Sequence, residues 1–360
     1  MSPRSYTLRE VTRQFTRLPA DLVELSRVAE PAAARAAGSL RSLERLVLLG
    51  SGDSLHAALS AAPLLARAGV ECAVLPAATF LQSPPWPEAE ARTTAVVGVS
   101  ASGGNPTVVS AVAGARRHAR ATVAVTCAAG SPLARAAETS VIVDPRASEP
   151  SPGIRTYQAV LLALLHLGAA VCRSPAHRGG GGRPADVVAH TAALGDPETI
   201  ARAQSATIEG ARLAAGPVAA LLAPVPVVLV VAGPATSGSA RYLAAKFTET
   251  AGVPAMAVDP EDWWHVHRFG HDPAHPVVFF VPPGPDRGAA LETARRTARS
   301  RRLVVVAGAA DAEAREVAAV TVPVAEHVAE VARPLVDSAV SGPLAAELAR
   351  VLHRLPFGRQ

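Results

Sequence analysis

Lysine is almost missing from this chain: of 35 basic Lys and Arg side chains a single one, Lys246, is lysine. Either that survivor is accidental or it stands where arginine fails, since lysine can release its proton and act as a compact point charge and arginine cannot. Aromatic residues are scarce as well, 4% of the chain against a hydrophobic share of 49%. Cores must be built from Ala, Val and Leu, which suits helices laid on parallel strands that are buried on both faces. Only three cysteines occur, Cys72, Cys127 and Cys172, far apart and without a CxxC. Such spacing speaks against a disulfide framework and for buried free thiols in a reducing compartment. The N-terminal residues hold no apolar stretch of the signal-peptide kind. The longest apolar run, 159–165, breaks at His166 and is too short to cross a bilayer. A soluble, cytoplasmic protein with no membrane association is expected. Net charge is +5 and the isoelectric point near 9.7, but the arginines are scattered and aromatics few, so no nucleic-acid partner is expected. Neither GxxxxGK[ST] nor a clean GxGxxG is present, which disfavours a nucleotide.

What is present alternates. Residues 6–37 carry apolar positions at helical spacing, with Pro19 read as a break between two pieces. Short buried strands are expected at 45–49, 71–75, 94–98, 122–126 and 140–143, and helices at 55–68, 106–117, just after Ser131, and at 156–170. Four consecutive glycines mark 175–186 as a linker. The order then repeats: strands at 227–231, 254–258, 277–281, 303–307 and 320–324, helices at 239–250, 287–299 and about 328–354, and a His-rich loop before 277. The expected organisation is an α/β protein with a helical segment 1–40, a first domain 41–174, the linker, and a second domain 187–360. Strands alternating with helices mean parallel sheets covered on both faces, and a single long repeat means a duplicated domain rather than a solenoid.

In an open parallel sheet, ligands bind beyond the carboxyl ends of the strands. Two Gly/Ser turns fall there in the first half: GSGDS at 50–54, and SASGGN at 100–105 entering a helix. Backbone N–H groups at a helix start, with serine hydroxyls beside them, favour an anion such as a phosphate. One such turn is as readily a simple cap, in which Ser51 and Asp53 only shape the backbone; two at neighbouring strand ends favour a ligand site. Thr236 and Ser237 mark a degenerate counterpart in the second half. Lys246 and Glu249 stand i, i+3 on a helix, the usual spacing of a surface ion pair. Their neighbours Ala244, Ala245 and Phe247 make that helix read as buried, and a buried pair with a shifted pKa is a general-base candidate. His265, His267, His271 and His275 follow, with Asp262 and Asp272; their spacing is permissive for a metal without being diagnostic, and no metal or other cofactor is expected. Trp263 and Trp264 suit either a sugar-stacking wall or an anchor for the loop.

Taken together, Gly-Ser-Gly-Asp-Ser at 50–54, Ser-Ala-Ser-Gly-Gly-Asn at 100–105, Gly-Ser-Pro-Leu-Ala at 130–134, and Lys246-x-x-Glu249 with His265 beyond it resemble the sugar isomerase (SIS) family. The duplicated arrangement is similar to tandem members such as the isomerase module of glucosamine-6-phosphate synthases, over nearly the whole chain. The resemblance implies a phosphate held by Ser54, Ser100, Ser102, Gly103 and Asn105, with Ser51 and Arg155 nearby. It implies that Glu249 moves a proton between the first two sugar carbons, that Lys246 assists, and that His265 opens the sugar ring in a neighbouring subunit's site. The function so implied is a sugar-phosphate or amino-sugar-phosphate isomerase, a homodimer with shared active sites whose partner is a small phosphorylated sugar. Its alternatives are an amine-releasing deglycase or deaminase on the same scaffold, and a non-catalytic sugar-phosphate sensor, which is expected to lose the Lys, Glu and His kept here. Departures are Asn105 for the loop's usual Thr, Ala101 for Gln, Gly153-Ile154-Arg155 before the long helix, and EDWWHVH at 261–267 for GELKHGP. They point away from fructose 6-phosphate as substrate. No glutaminase-type segment or N-terminal cysteine nucleophile accompanies the module, so glutamine-dependent amidotransfer by this chain alone is not expected.

Overall fold

The computed structural model describes residues 6–40, 43–67, 71–83, 92–146, 150–173 and 193–358; the linker expected at 175–186 lies outside them. Strands β1 (Arg45–Gly50), β2 (Glu71–Pro76), β3 (Thr94–Val99), β4 (Ala121–Thr126) and β5 (Thr139–Ile142) form one sheet in the order β2-β1-β3-β4-β5. Strands β6 (Val228–Val231), β7 (Ala255–Val258), β8 (Val277–Val281), β9 (Leu303–Gly308) and β10 (Val320–Val324) form a second, in the order β10-β9-β8-β6-β7. Every pairing is parallel. Read from its own first strand, the second sheet repeats the order of the first, so the duplication seen in the sequence is a duplication of topology. The central strands β3, β4, β8 and β9 are buried at every position. Their Val-rich runs lack in–out alternation because helices cover both faces.

Two elements depart from expectation. Helix Leu8–Ala37 runs without interruption through Pro19 and Pro31. An internal proline costs a helix about 3 kcal/mol, while burying a Phe or Leu side chain returns roughly 1.5–3 kcal/mol. Phe15, Leu18, Leu22 and Leu25 keep one buried stripe past Pro19, packed on helices of both halves, so the stripe outweighs the proline. Helix Arg155–Arg173 is longer and more apolar than the run 159–165 suggested; its mean hydropathy of 1.3 passes the length and composition test for a membrane span, and 89% of that stretch is buried inside the protein. It is the central helix of the first core. The three thiols are free, with Cys127 and Cys172 buried, and burial pushes them up, to about 12 for Cys72 and Cys127 and about 11 for Cys172.

Candidate active site

Neighbouring β1 and β3 send their connections to opposite sides of the first sheet, which opens a crevice beyond their carboxyl ends. Two turns flank it. Gly52 leads from β1 into helix Asp53–Arg67, and Ser54 Oγ accepts a hydrogen bond from the Ala101 N–H of the other turn at 3.4 Å. In that second turn Gly103 takes φ 61°, and a Cβ on it would lie 2.1 Å from Ser131 Oγ; glycine is required twice over. Ser102 Oγ accepts from the Gly104 N–H at 3.3 Å. Asn105 caps helix Pro106–Ala115, its carboxamide oxygen accepting from the N–H groups of Thr107 and Val108 at 3.0 and 3.2 Å. Ser51 and Ser102 are exposed, Ser54 and Asn105 half-buried, and Ser100 and Gly103 buried. Two helices begin here, so the positive ends of two dipoles border the crevice.

Arg155 is not among these groups. Its guanidinium binds Asp21 at 2.5 and 2.8 Å and the carbonyls of Pro145 and Arg146. That ties the first helix to the loop after β5 and leaves the side chain committed to structure.

The second half enters the crevice through helix Ser237–Ala251. It crosses helix Asp53–Arg67 at Gly238, where a Cβ would lie 2.1 Å from Ser60 Oγ and 2.7 Å from the His56 carbonyl oxygen. Only a bare backbone lets the two helices approach so closely. Further along, Tyr242 stacks on Tyr157 with centroids 3.6 Å apart and donates to the Gly153 carbonyl at 3.0 Å. The close crossing delivers Lys246, which is fully buried, to Asp53: Nζ donates to Asp53 Oδ2 at 2.7 Å and to Glu249 Oε2 at 2.5 Å. One ammonium thus serves two carboxylates from a single atom, which the wider, planar fork of an arginine does not. Burial pushes the carboxyls of both Asp53 and Glu249 up, against the pull of Lys246, and the charge of Asp53 adds to the rise at Glu249.

Asp53 is therefore more than a turn-shaping residue, and His56 joins it. His56 Nδ1 lies 3.9 Å from Asp53 Oδ1; burial, then the charges of Arg241 and Lys246, push its imidazole down to about 4. The signal was an i, i+3 pair on a helix starting at a strand end, the same spacing as Lys246 and Glu249. What it could not reveal is that the two helices cross.

The His-rich segment is helical rather than a loop, with a π-turn at Trp263–His267 between short α-helical pieces. Trp263 is fully buried and its indole N–H donates to Thr297 Oγ1 at 3.0 Å, so it anchors the segment. Trp264 has its ring covered by the guanidinium groups of Arg268 and Arg296, 4.2 and 4.5 Å from the centroid. His265 is 70% exposed and lies 3.4 Å from Glu261; among the described residues no hydrogen bond or ion pair joins it to Lys246 or Glu249. No group of three or more His, Cys, Asp or Glu side chains is placed to hold a metal among the described residues.

The equivalent turn of the second half is filled by the protein itself. Asp286, after β8, reaches across to accept the Ala235 N–H at 2.6 Å, while Thr236 Oγ1 donates to the Gly233 carbonyl.

Residues 39–172 match the family model of the SIS domain. No curated protein matches the sequence. Solved structures share the fold over nearly the full length. The C-terminal domain of glucosamine-fructose-6-phosphate aminotransferase from Francisella tularensis superposes with a TM-score of 0.82 at 13% identity, covering 96% of this chain and 97% of that one. Tagatose-6-phosphate ketose/aldose isomerase from Escherichia coli gives 0.75 at 14% identity, covering 99% and 97%. Glucosamine-6-phosphate deaminase from Thermotoga maritima gives 0.72 at 14% identity, covering 98% and 97%. The first half thus matches the SIS domain, and the second half repeats its sheet order, so the chain carries the same fold twice in tandem.

Proposed function

We propose that the protein binds a phosphorylated sugar and moves a proton between its C1 and C2, interconverting aldose and ketose. The observation that carries this reading is the fully buried Lys246, held between Asp53 and Glu249 beside the serine turns. Ser51, Ser54, Ser100, Ser102 and Asn105, with the backbone N–H groups around Gly103, hold the phosphate. Glu249, whose side chain is 31% exposed, takes the proton from one carbon and returns it to the next. A base is most effective when its pKa approaches the working pH, and burial moves Glu249 that way. Lys246 offsets the negative charge that grows on the carbonyl oxygen as the enediolate forms. His265, exposed on the helical segment, faces outward to a second copy of the chain in a homodimer. A monomer that keeps full activity in dilute-solution sizing removes that assignment.

The test incubates the protein with a panel of sugar phosphates in D2O and follows deuterium at C1 and C2 by NMR, with ammonia measured in parallel. Exchange is expected with at least one sugar phosphate. Glu249→Gln should abolish it while the ligand still raises Tm. Undiminished exchange in that variant removes Glu249 as the base. Ammonia release would identify a deaminase instead, and a Tm shift with neither activity a sensor.

A further inference from the structure

A sugar phosphate closed into a ring has no free carbonyl, so ring opening must precede proton transfer at carbon. His265 does not meet Glu249 within this chain, yet another imidazole stands in the crevice. His56 follows Asp53 by one turn on helix Asp53–Arg67. Its Nδ1 and the Oδ1 of Asp53 are both buried, both without a hydrogen-bond partner, and 3.9 Å apart. Closing that gap by roughly 1 Å makes a normal hydrogen bond. The bond would place a proton on Nδ1 and leave Nε2 as acceptor. Since Nδ1 is shut away, the 18% of the side chain that remains reachable leaves Nε2 as the nitrogen available to a ligand. The charged groups acting on this ring are Asp53, Lys246, Glu249 and Arg241.

We propose that His56, positioned by Asp53, is the proton shuttle that opens the sugar ring, in the same chain that carries Glu249. The assignment rests on the phosphosugar reading above. Nε2 takes the proton of the anomeric hydroxyl. The carbonyl forms as the bond from the anomeric carbon to the ring oxygen breaks, its electron pair going to that oxygen. Nε2 then hands the proton to the ring oxygen, so the imidazole begins and ends neutral. Burial holds this imidazole down to about 4, and the bond to Asp53 would offset that by stabilising the imidazolium that forms while the ring opens.

Two measurements test this. Ring opening is read directly as exchange between the anomers of the hexose 6-phosphate that gives the largest signal in the panel, by NMR magnetisation transfer. Wild type and Glu249→Gln should both accelerate it, whereas His56→Gln should lose about a hundredfold or more and His265→Ala far less. Anomer exchange that survives in His56→Gln, or that is lost in His265→Ala alone, overturns the proposal. The second measurement is the 15N tautomer state of His56 without ligand. Wild type should show the Nδ1–H form. In Asp53→Asn the carboxamide must turn its oxygen to Lys246, which only donates, and its NH2 to Nδ1, forcing the Nε2–H form. A wild-type Nε2–H form, or a tautomer indifferent to Asp53→Asn, overturns the positioning role. If no sugar phosphate is processed by wild type, the function falls while the tautomer result still judges the Asp53–His56 pair by itself.

Discussion

The two halves share one strand order and differ in what fills the turn after the first strand. In the first half the turns are lined with serines, and Asn105 turns its carboxamide oxygen back to cap its own helix. In the second, Asp286 is the N-cap of the matching helix, Arg287–Ala298, yet makes no side-chain bond to it. It reaches over to the Ala235 N–H at 2.6 Å instead. A carboxylate thus occupies the place where a phosphate would meet backbone donors. On the function proposed above, the same fold serves as a receptor in one copy and as a self-satisfied scaffold in the other, and the scaffold copy lends Lys246 and Glu249 to the receptor. A duplicated domain divides its labour through a few turn residues, without altering its sheet.

That contrast can be broken, most severely at the group shared by both halves. Lys246→Met leaves Asp53 and Glu249 buried together without their cation; breaking a buried pair in this way costs about 3–5 kcal/mol, to be read from the urea midpoint at neutral pH, with sugar-phosphate exchange abolished. A smaller effect is expected at His56. The unfolded chain protonates this histidine below its ordinary 6.5, the fold only below about 4. Its contribution is therefore present above pH 6.5 and lost as pH falls to 4. His56→Gln should remove from the pH–stability curve a fall of up to about 3 kcal/mol across that window; an unchanged slope in calorimetry contradicts the burial of the ring. Next, Asp286→Ala should convert the second turn toward the first. It forfeits a charge-assisted hydrogen bond of about 1.5 kcal/mol, and sulfate should then raise Tm more than it does for wild type. The smallest change sharpens the comparison: Ser102→Ala should leave the unfolding free energy within about 0.5 kcal/mol of wild type and weaken sugar-phosphate binding about tenfold, while Thr236→Val leaves binding untouched in the same titration.

Much of the architecture could be read from the residues because it rests on patterns of short range. Buried parallel strands show as unbroken Val-rich runs, and the Gly/Ser turns sit at their ends. Lys246 and Glu249 stood out because they lie a single turn apart among apolar neighbours. The parts that escaped depend on distant encounters. Asp53 meets Lys246 across 193 positions, and Arg155 is claimed by Asp21 across 134; no local pattern reports either event. By propensity alone Pro19 reads as a break, and the buried stripe that overrides it shows only in the packing. The helical character of 260–270 is masked by its histidines and tryptophans, and of the two readings open to Trp263 the structure takes the anchor.

The close crossing at Gly238 has a mechanical consequence. Asp53 rides on one half and Lys246 with Glu249 on the other, so the 2.7 Å contact between Asp53 and Lys246 acts as a gauge of how the halves sit. Any slide between them changes how much of the lysine's charge Asp53 absorbs, and with it the basicity of Glu249. Rigid-body motion and acid strength are here one coordinate.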